Sequence, residues 1–496
     1  MIDSTIRNPI VFVCLLLSHF IFAQNEKSLS LNEFIRIASN DALDAYKAKR
    51  QYATGYWEYR AHKSRLLPKM NLELAPFTFN RSFTERYDPE KNIDLYRPIR
   101  SLNSFGQISV EQNVLFSGAK VYVHSTFNRI SSFLDDQTIE NFSTTPLRIG
   151  ITQPIMAFNA LRWEKKTAEL ALQKAKNDYI LQQQKLNVKS VGLFFKWALA
   201  QTKLKLANEN HRSAINLHEI GVKRFPLGTI EKEDLLNLEL ETFITSTALT
   251  QASQNFQEIV AELEVFLNIS DIQDYQPTLP ELLPNMMIDL DKAISLAHAN
   301  NPDLIHEEMK RINAQRDLDQ TIKKNRFDLT LNASFGLNQQ AEEFSELYSH
   351  LLNQQYVSIV LNLPLLDWGE RKGNIQTARM NKEIADIEIR QNIDYLKQTL
   401  TQLVNNFNLQ AKIVADASKT KSISLESYEI SETRFLSGEV DLLRLITSRK
   451  SWQNAAEQYL ISLQNFWEYY YQLQQMTLFN FIDDRLIEVD YDELID

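Results

Sequence analysis

Arg224-Phe225-Pro226-Leu227-Gly228 recurs 210 residues later as Arg434-Phe435-Leu436-Ser437-Gly438. The closing glycine supplies a backbone conformation shut to bulkier residues, so each pentapeptide reads as a tight turn. Into each turn runs a long proline-free helical pattern, about Leu161–Arg224 and Arg371–Arg434. Leu172, Tyr179, Leu186 and Leu193 fall at heptad spacing in the first, and Ile389, Leu396 and Leu403 in the second. Sixty-four residues of α-helix reach ~96 Å, which a compact domain does not hold, so such a helix projects or joins a coiled coil. Returning helices follow, about Lys232–Leu267 and Asp441–Phe479. Trp197, Leu199, Leu204 and Leu206 add apolar residues beside the heptad series, as suits a helix packed on both sides within a ring of helices.

The turns belong to a larger duplication. At an offset of 210, Pro154 falls on Pro364, Leu186 on Leu396, Leu235 on Leu445 and Leu263 on Leu473, with no gap. Upstream the best offset is 259, which places Leu31 on Leu290, Ala38 on Ala297, Asp44 on Asp303 and Leu72 on Leu331. The first copy therefore carries 49 extra residues between Leu72 and Pro154. The resulting division is a leader over 1–23, a first repeat over 24–269 with an insertion at about 77–145, and a linker over 270–287 marked by Pro277, Pro280 and Pro284. A second repeat over 288–480 and an acidic tail over 481–496 complete it.

Each copy opens with a helix, about Leu29–Arg65 and Leu290–Lys324, and then alternates. Leu329, Leu331, Ala333, Phe335 and Leu337 interleave with Thr330, Asn332, Ser334 and Asn338, and Val357, Ile359, Leu361 and Leu363 form a second such run. The first copy offers Met70, Leu72 and Leu74, then Leu147, Ile149 and Ile151. A period of two is expected where one strand face meets an apolar medium. Strands of ~8–11 residues suffice to cross a bilayer when tilted. Pro154 and Pro364 close the second strand of each pair, where a backbone donor is dispensable. Four strands are too few to close a membrane barrel in one chain, and lipid tolerates no open edge, so membrane-spanning strands would have to be pooled between subunits. A soluble sandwich is the other reading of the strands alone. Within the insertion, Ile108, Val110 and Val114, then Ser117-Gly118, then Val121 and Val123 read as an additional hairpin, either a further part of the barrel or an outer loop.

The N-terminus reads as a secretory signal, with Arg7 before an almost wholly apolar run from Pro9 to Ala23 and a small residue at Ala23-Gln24. A membrane anchor is the alternative, but the run is shorter than the ~20 residues a spanning helix needs. Cys14, the only cysteine, lies inside this run, so the mature chain has no disulfide, thiolate metal site or cysteine nucleophile. Eleven glycines in 496 residues favour long helices over many tight turns, and a net charge of −10 argues against a nucleic-acid surface. No catalytic, cofactor or metal site is legible. His211 and His218 could share a helix face, but read as solvated, and no phosphate loop or nucleophile elbow is present.

The turn sequences Arg224-Phe225-Pro226-Leu227-Gly228-Thr229-Ile230 with Asp234-Leu235-Leu236, and Arg434-Phe435-Leu436-Ser437-Gly438-Glu439 with Leu442-Leu443, resemble the repeated helix-tip motif of TolC-like outer membrane efflux proteins. Pro364-Leu365-Leu366-Asp367-Trp368-Gly369 resembles that family's strand-to-helix junction. The resemblance covers roughly residues 29–480. It implies a mainly α fold with membrane β-hairpins: a duplicated helix–β-hairpin–long helical hairpin unit. It also implies a homotrimer, with a 12-stranded barrel in outer-membrane lipid of a Gram-negative bacterium continuing into a periplasmic α-helical barrel. A periplasmic adaptor (membrane fusion protein) and an inner-membrane pump would dock at tips formed by Arg224, Phe225, Gly228, Thr229, Arg434, Phe435, Gly438 and Glu439. No cofactor is implied.

Two functions are compatible with these readings: an efflux or type I secretion duct, and a non-conducting structural or adhesive coiled-coil scaffold of the envelope. A duct has to stay shut when idle. Glu426, Glu429 and Glu432 lie in the last turns before Arg434, and residues three apart stay near one helix face. Facing inward, threefold repetition would make them rings of carboxylates that favour cations. Facing outward, they are ordinary solvated charge.

Overall fold

The computed structural model describes residues 27–89, 92–133, 137–280, 283–284 and 286–495. The expected leader over 1–23, with Cys14, lies outside them. The helices come in pairs of matched length. Helices α1 (Leu31–Asp41) and α5 (Leu290–Asn300) have 11 residues each, and α2 (Leu43–Arg65) and α6 (Pro302–Lys324) have 23 each. The long helices α3 (Ala160–Arg224) and α7 (Glu370–Leu436) have 65 and 67. The returning helices α4 (Lys232–Leu267) and α8 (Leu442–Thr477) have 36 each.

The single opening helix expected in each copy is two helices. In the second copy, Pro302 bars Asn301 from helical backbone, and the Asn301 side chain accepts from the Asp303 N–H to cap α6. In the first copy Ala42 takes the same extended conformation, φ −67° and ψ 141°, without a proline. Ala42 is buried.

Compactness runs across the duplication. One unit gathers the described residues up to Ala42 with 190–283 and 420–461, and the other gathers 43–189, 284–419 and the chain from Ser462 on. In the first unit, Phe34 is fully buried and meets Phe194 edge-on at 5.7 Å, beside Trp197, Leu263 and Leu267. A short strand β1 (Lys27–Ser30) pairs in parallel with β6 (Tyr275–Thr278), so part of the expected linker is ordered into this unit. In the second unit Phe407 packs on Phe466 at 5.0 Å, with Leu400 and Leu463 buried around them. Each fully buried aromatic contributes roughly 1.5–3 kcal/mol from water exclusion. A two-residue pair, β9 (Phe479–Asn480) with β10 (Arg485–Leu486), begins the C-terminal tail. Beyond it Ile487, Val489 and Tyr491 cover Ile180 and Leu181.

The second unit also holds a six-stranded antiparallel meander: β2 (Lys69–Asp88), β3 (Ile93–Asn113), β4 (Lys120–Phe133), β5 (Thr138–Ile155), β7 (Asp328–Ala341) and β8 (Leu352–Asn362). This corrects the count of four. The insertion's hairpin, turning at Gly118 (φ +72°), lies within the sheet. The runs around Leu72 and Ile149 therefore do not pair with each other. Strand β2 pairs with β3, and β5 lies between β4 and β7.

Direct cross-strand partners share a face, so the registers trace one face across all six strands. Leu72 opposes Ile108, Val110 opposes Val123, Val123 opposes Ile149, Ile149 opposes Phe335, Leu331 opposes Ile359 and Leu329 opposes Leu361. That face is apolar and open to the surroundings: Leu72 is 63% exposed and Ile359 68%. The other face carries Asn71, Glu73, Gln107, Ser109, His124, Arg148, Asn332 and Ser358. Two bulges interrupt the count, between Ala75 and Thr78 in β2 and between Thr144 and Leu147 in β5. Each contains a proline, Pro76 and Pro146, at a place that needs no ladder donor. The Pro76 carbonyl is satisfied by the Ser104 hydroxyl at 2.8 Å. After the β2 bulge the apolar positions change parity, and Phe77, Phe79, Phe83 and Tyr87 continue the face begun by Met70, Leu72 and Leu74.

Strand β8 passes to α7 through Asp367-Trp368-Gly369, where Trp368 and Gly369 have φ of +52° and +96°. The Asp367 carboxylate accepts from the Arg371 side chain at 2.6 Å, the Arg371 N–H at 3.0 Å and the Gly369 N–H at 3.3 Å. These bonds, led by that of the Arg371 side chain, lower its pKa to about 2. A depressed carboxylate stabilises the fold above its ordinary pKa, and that contribution fades as pH falls toward 2. Titration followed by NMR is therefore expected to place the Asp367 midpoint near 2, and Arg371→Met to return it toward the ordinary carboxylate range.

Candidate functional site

The expected tips lie in the first compact unit. In the first, α3 ends at Arg224 and a single 3-10 turn, Phe225–Leu227, carries the chain to Gly228 at φ +66°. The Gly228 N–H donates to the Phe225 carbonyl at 3.0 Å. Thr229 donates to the Arg224 carbonyl from both its N–H (3.3 Å) and its hydroxyl (3.0 Å). The second tip repeats the scheme. Gly438 has φ +80°, its N–H donates to Phe435 at 3.0 Å, and the Glu439 N–H donates to the Arg434 carbonyl at 2.9 Å. The Arg434 guanidinium also reaches the Glu439 carboxylate at 3.1 Å. The two tips touch: the Arg224 guanidinium donates to the Leu436 carbonyl at 3.0 Å.

Beneath the turns Leu217, Leu238 and Leu445 form a buried cluster, covered by Tyr428, Phe435 and Leu442. Next to it the Arg449 guanidinium bonds the Glu241 carboxylate, both nearly buried. Removing one partner of such a pair strands a charge and costs about 3–5 kcal/mol. Nothing in the local sequence pointed to this pair, because its members lie 208 residues apart. The tips expose apolar side chains among charged ones such as Lys223, Lys232 and Glu439. Leu227 and Leu443 are 74% and 73% exposed, and Phe225, Leu236 and Leu436 are exposed as well.

The three glutamates do not share one environment. Glu432 accepts from the Tyr428 hydroxyl at 3.2 Å, and the Tyr428 ring lies flat on Trp452 of α8 at 5.4 Å. Burial, with the Glu432 charge second, pushes the Tyr428 pKa up to about 12. Glu426 instead lines a groove of about 260 Å³ with Ile423, Ile430, Arg434 and Arg444. Glu429 is exposed. His211 meets the Thr245 hydroxyl at 3.3 Å. Among the described residues no group of three or more His, Cys, Asp or Glu side chains is placed to hold a metal, and no helix is long and apolar enough to cross a membrane.

A Cβ built on Gly228 or Gly438 meets nothing within 4 Å, so substitution there acts through backbone strain alone. Left-handed backbone costs an L-residue about 1–2 kcal/mol. Gly228→Val and Gly438→Val are thus expected to speed amide hydrogen exchange at their own tip and to leave protection around Trp197 and Phe407 unchanged.

Residues 293–477 match the family model described as outer membrane efflux protein. Among solved structures, the outer membrane channel CmeC of Campylobacter jejuni superposes with a TM-score of 0.65 at 15% identity, covering 94% of this chain and 88% of that one. The outer membrane protein VceC of Vibrio cholerae gives 0.61 at 12% identity, covering 92% and 97%. The open-state MtrE outer membrane channel of Neisseria gonorrhoeae gives 0.55 at 14% identity, covering 90% and 88%. At these identities the likeness is one of fold. The comparison with curated proteins gave no match.

Proposed function

We propose, from the match of residues 293–477 to the outer membrane efflux protein model, that the chain is one subunit of a homotrimeric exit duct in the outer membrane. The observation that carries this reading is the meander: one exposed apolar face across six strands, with β2 and β8 at its open ends. Lipid satisfies the apolar face but not the free backbone groups of the ends. Pairing β8 of one subunit with β2 of the next satisfies both and keeps the strands antiparallel.

The helical hairpins form the periplasmic part of the duct. Their tips, with exposed Phe225, Leu227, Leu436 and Leu443, meet the apolar faces of a periplasmic adaptor, and an inner-membrane pump supplies energy and selects cargo. This is the arrangement of tripartite efflux and type I secretion. The chain performs no chemistry of its own. A non-conducting envelope scaffold would have no use for a continuous lipid-facing band.

The purified protein in mild detergent is expected to run as three chains in native mass spectrometry and to conduct ions in planar bilayers. A monomer that conducts, or a trimer that does not, overturns the reading. Gly228→Val and Gly438→Val trimers are expected to keep conductance in isolation and lose transport in cells, and normal transport by both removes the tips from docking.

The acidic residues near the second tip form the gate of this duct. Exposed Glu426 and Glu429 supply its negative field, while Glu432 is held by Tyr428. Glu426→Gln with Glu429→Gln is expected to reduce cation preference in single-channel recordings, most clearly at low salt where screening is weak. Glu432→Gln changes it less. Unchanged selectivity in the triple variant places all three outside the conduction path.

A further inference from the structure

We infer that the hairpin β3–β4 crosses the bilayer with the other strands, so that three chains close a barrel of eighteen strands rather than twelve. The inference rests on the duct reading above and specifies its outer opening. Three observations carry it. The hairpin occupies the middle of the first-copy strands, with β2 on one side and β5 on the other, and β2 has no neighbour but β3 within the sheet. A version of the sheet without the hairpin would need β2 to pair with β5, and every residue of that β5 edge is already engaged by β4 from Thr152 to Arg148 and from Thr145 to Thr138.

At the level of Leu72 and Ile149 the apolar band continues through the hairpin. Ile108 and Val110 of β3 continue Leu72 and Met70 of β2, and Val121 and Val123 of β4 continue Ile151 and Ile149 of β5. On the reverse face the hairpin presents Gln107, Ser109 and Glu111, then His124 and Thr126, in register with the polar residues of its neighbours. An outer loop in water would need no such continuity. Finally, the inserted strands are long enough: from Leu102 to Val110 on β3 is nine residues, the length a tilted strand needs to span the hydrocarbon, with Leu102, Ile108 and Val110 on the face of the band and Ser104 and Gly106 between them.

Perimeter scales with strand number. At a spacing of 4.8 Å and a tilt of roughly 40°, twelve strands give a backbone diameter of about 24 Å and eighteen about 36 Å. A lining of side chains about 5 Å deep on each wall leaves about 26 Å of bore. That is wide enough for two helices abreast. The outer opening therefore passes bulky cargo, including polypeptide with helical structure, and size selection falls to the periplasmic end of the duct.

The test places single cysteines in the full-length trimer, labels them with a fluorophore and reconstitutes it in vesicles containing brominated phosphatidylcholine. Ile359→Cys on β8 reports on the duct reading. Val110→Cys and Val123→Cys report on the hairpin. All three are expected to be quenched to within about twofold of one another, while Gln107→Cys, on the opposite face of β3, is not quenched and reacts with a water-soluble thiol reagent. Quenching at Ile359→Cys alone overturns the eighteen-stranded barrel and leaves the duct intact. No quenching at any of the three overturns both. Density for the unsubstituted trimer in nanodiscs gives an independent count: eighteen strand crossings at mid-bilayer support the inference, and twelve refute it.

Discussion

A backbone N–H that cannot reach water has to find a carbonyl, and in this chain that requirement decides more than any side chain does. The six-stranded meander satisfies its inner backbone groups by its own ladders, but its outermost strands, β2 and β8, each keep one unpaired side within the sheet. In water those edges would be tolerable. Beside a face as apolar as that of Leu72, Ile149, Phe335 and Ile359, they are not. In the duct proposed above, pairing between copies resolves this conflict, and the helices come along with the strands they are joined to.

The helical part was almost wholly legible in the sequence. Offsets of 210 and 259 lead to helices of matched length, and the expected span of α4, Lys232–Leu267, is the observed one. Helical periodicity survives because it is read over many turns. The break at Asn301 could be read from Pro302, while the equivalent break at Ala42 could not, since nothing in Asp41-Ala42-Leu43 disfavours a helix and the burial of Ala42 is visible only in the fold.

The strands were less legible for a definite reason. Alternation is a count of two, and one extra residue reverses it. The bulges at Pro76 and Pro146 do this within β2 and β5, so that Met70, Leu72 and Leu74 look unrelated to Phe77 and Phe79. In β3, Arg100, Ser104 and Gly106 occupy the apolar side and dilute the signal further. The inserted hairpin was therefore seen, but its place in the sheet was not. At the tips, the motif identified the turns and the glycines. It could not identify the Arg224 bond to Leu436, the Arg449–Glu241 pair or the Tyr428–Trp452 stack, which join residues distant in sequence or on different helices.

The bulges also bear on how such a strand changes over generations. A strand whose two sides meet lipid and water behaves like a text read in units of two, and each bulge is a frameshift already built in. Loss of one residue between Ala75 and Thr78 would turn Phe77 and Phe79, or the three residues before them, toward the aqueous side. Loss of a pair would merely shorten the strand. Length variation in this sheet is thus expected to be filtered by parity, with even steps surviving and odd steps surviving only where a proline-bearing bulge is gained or lost to restore the frame.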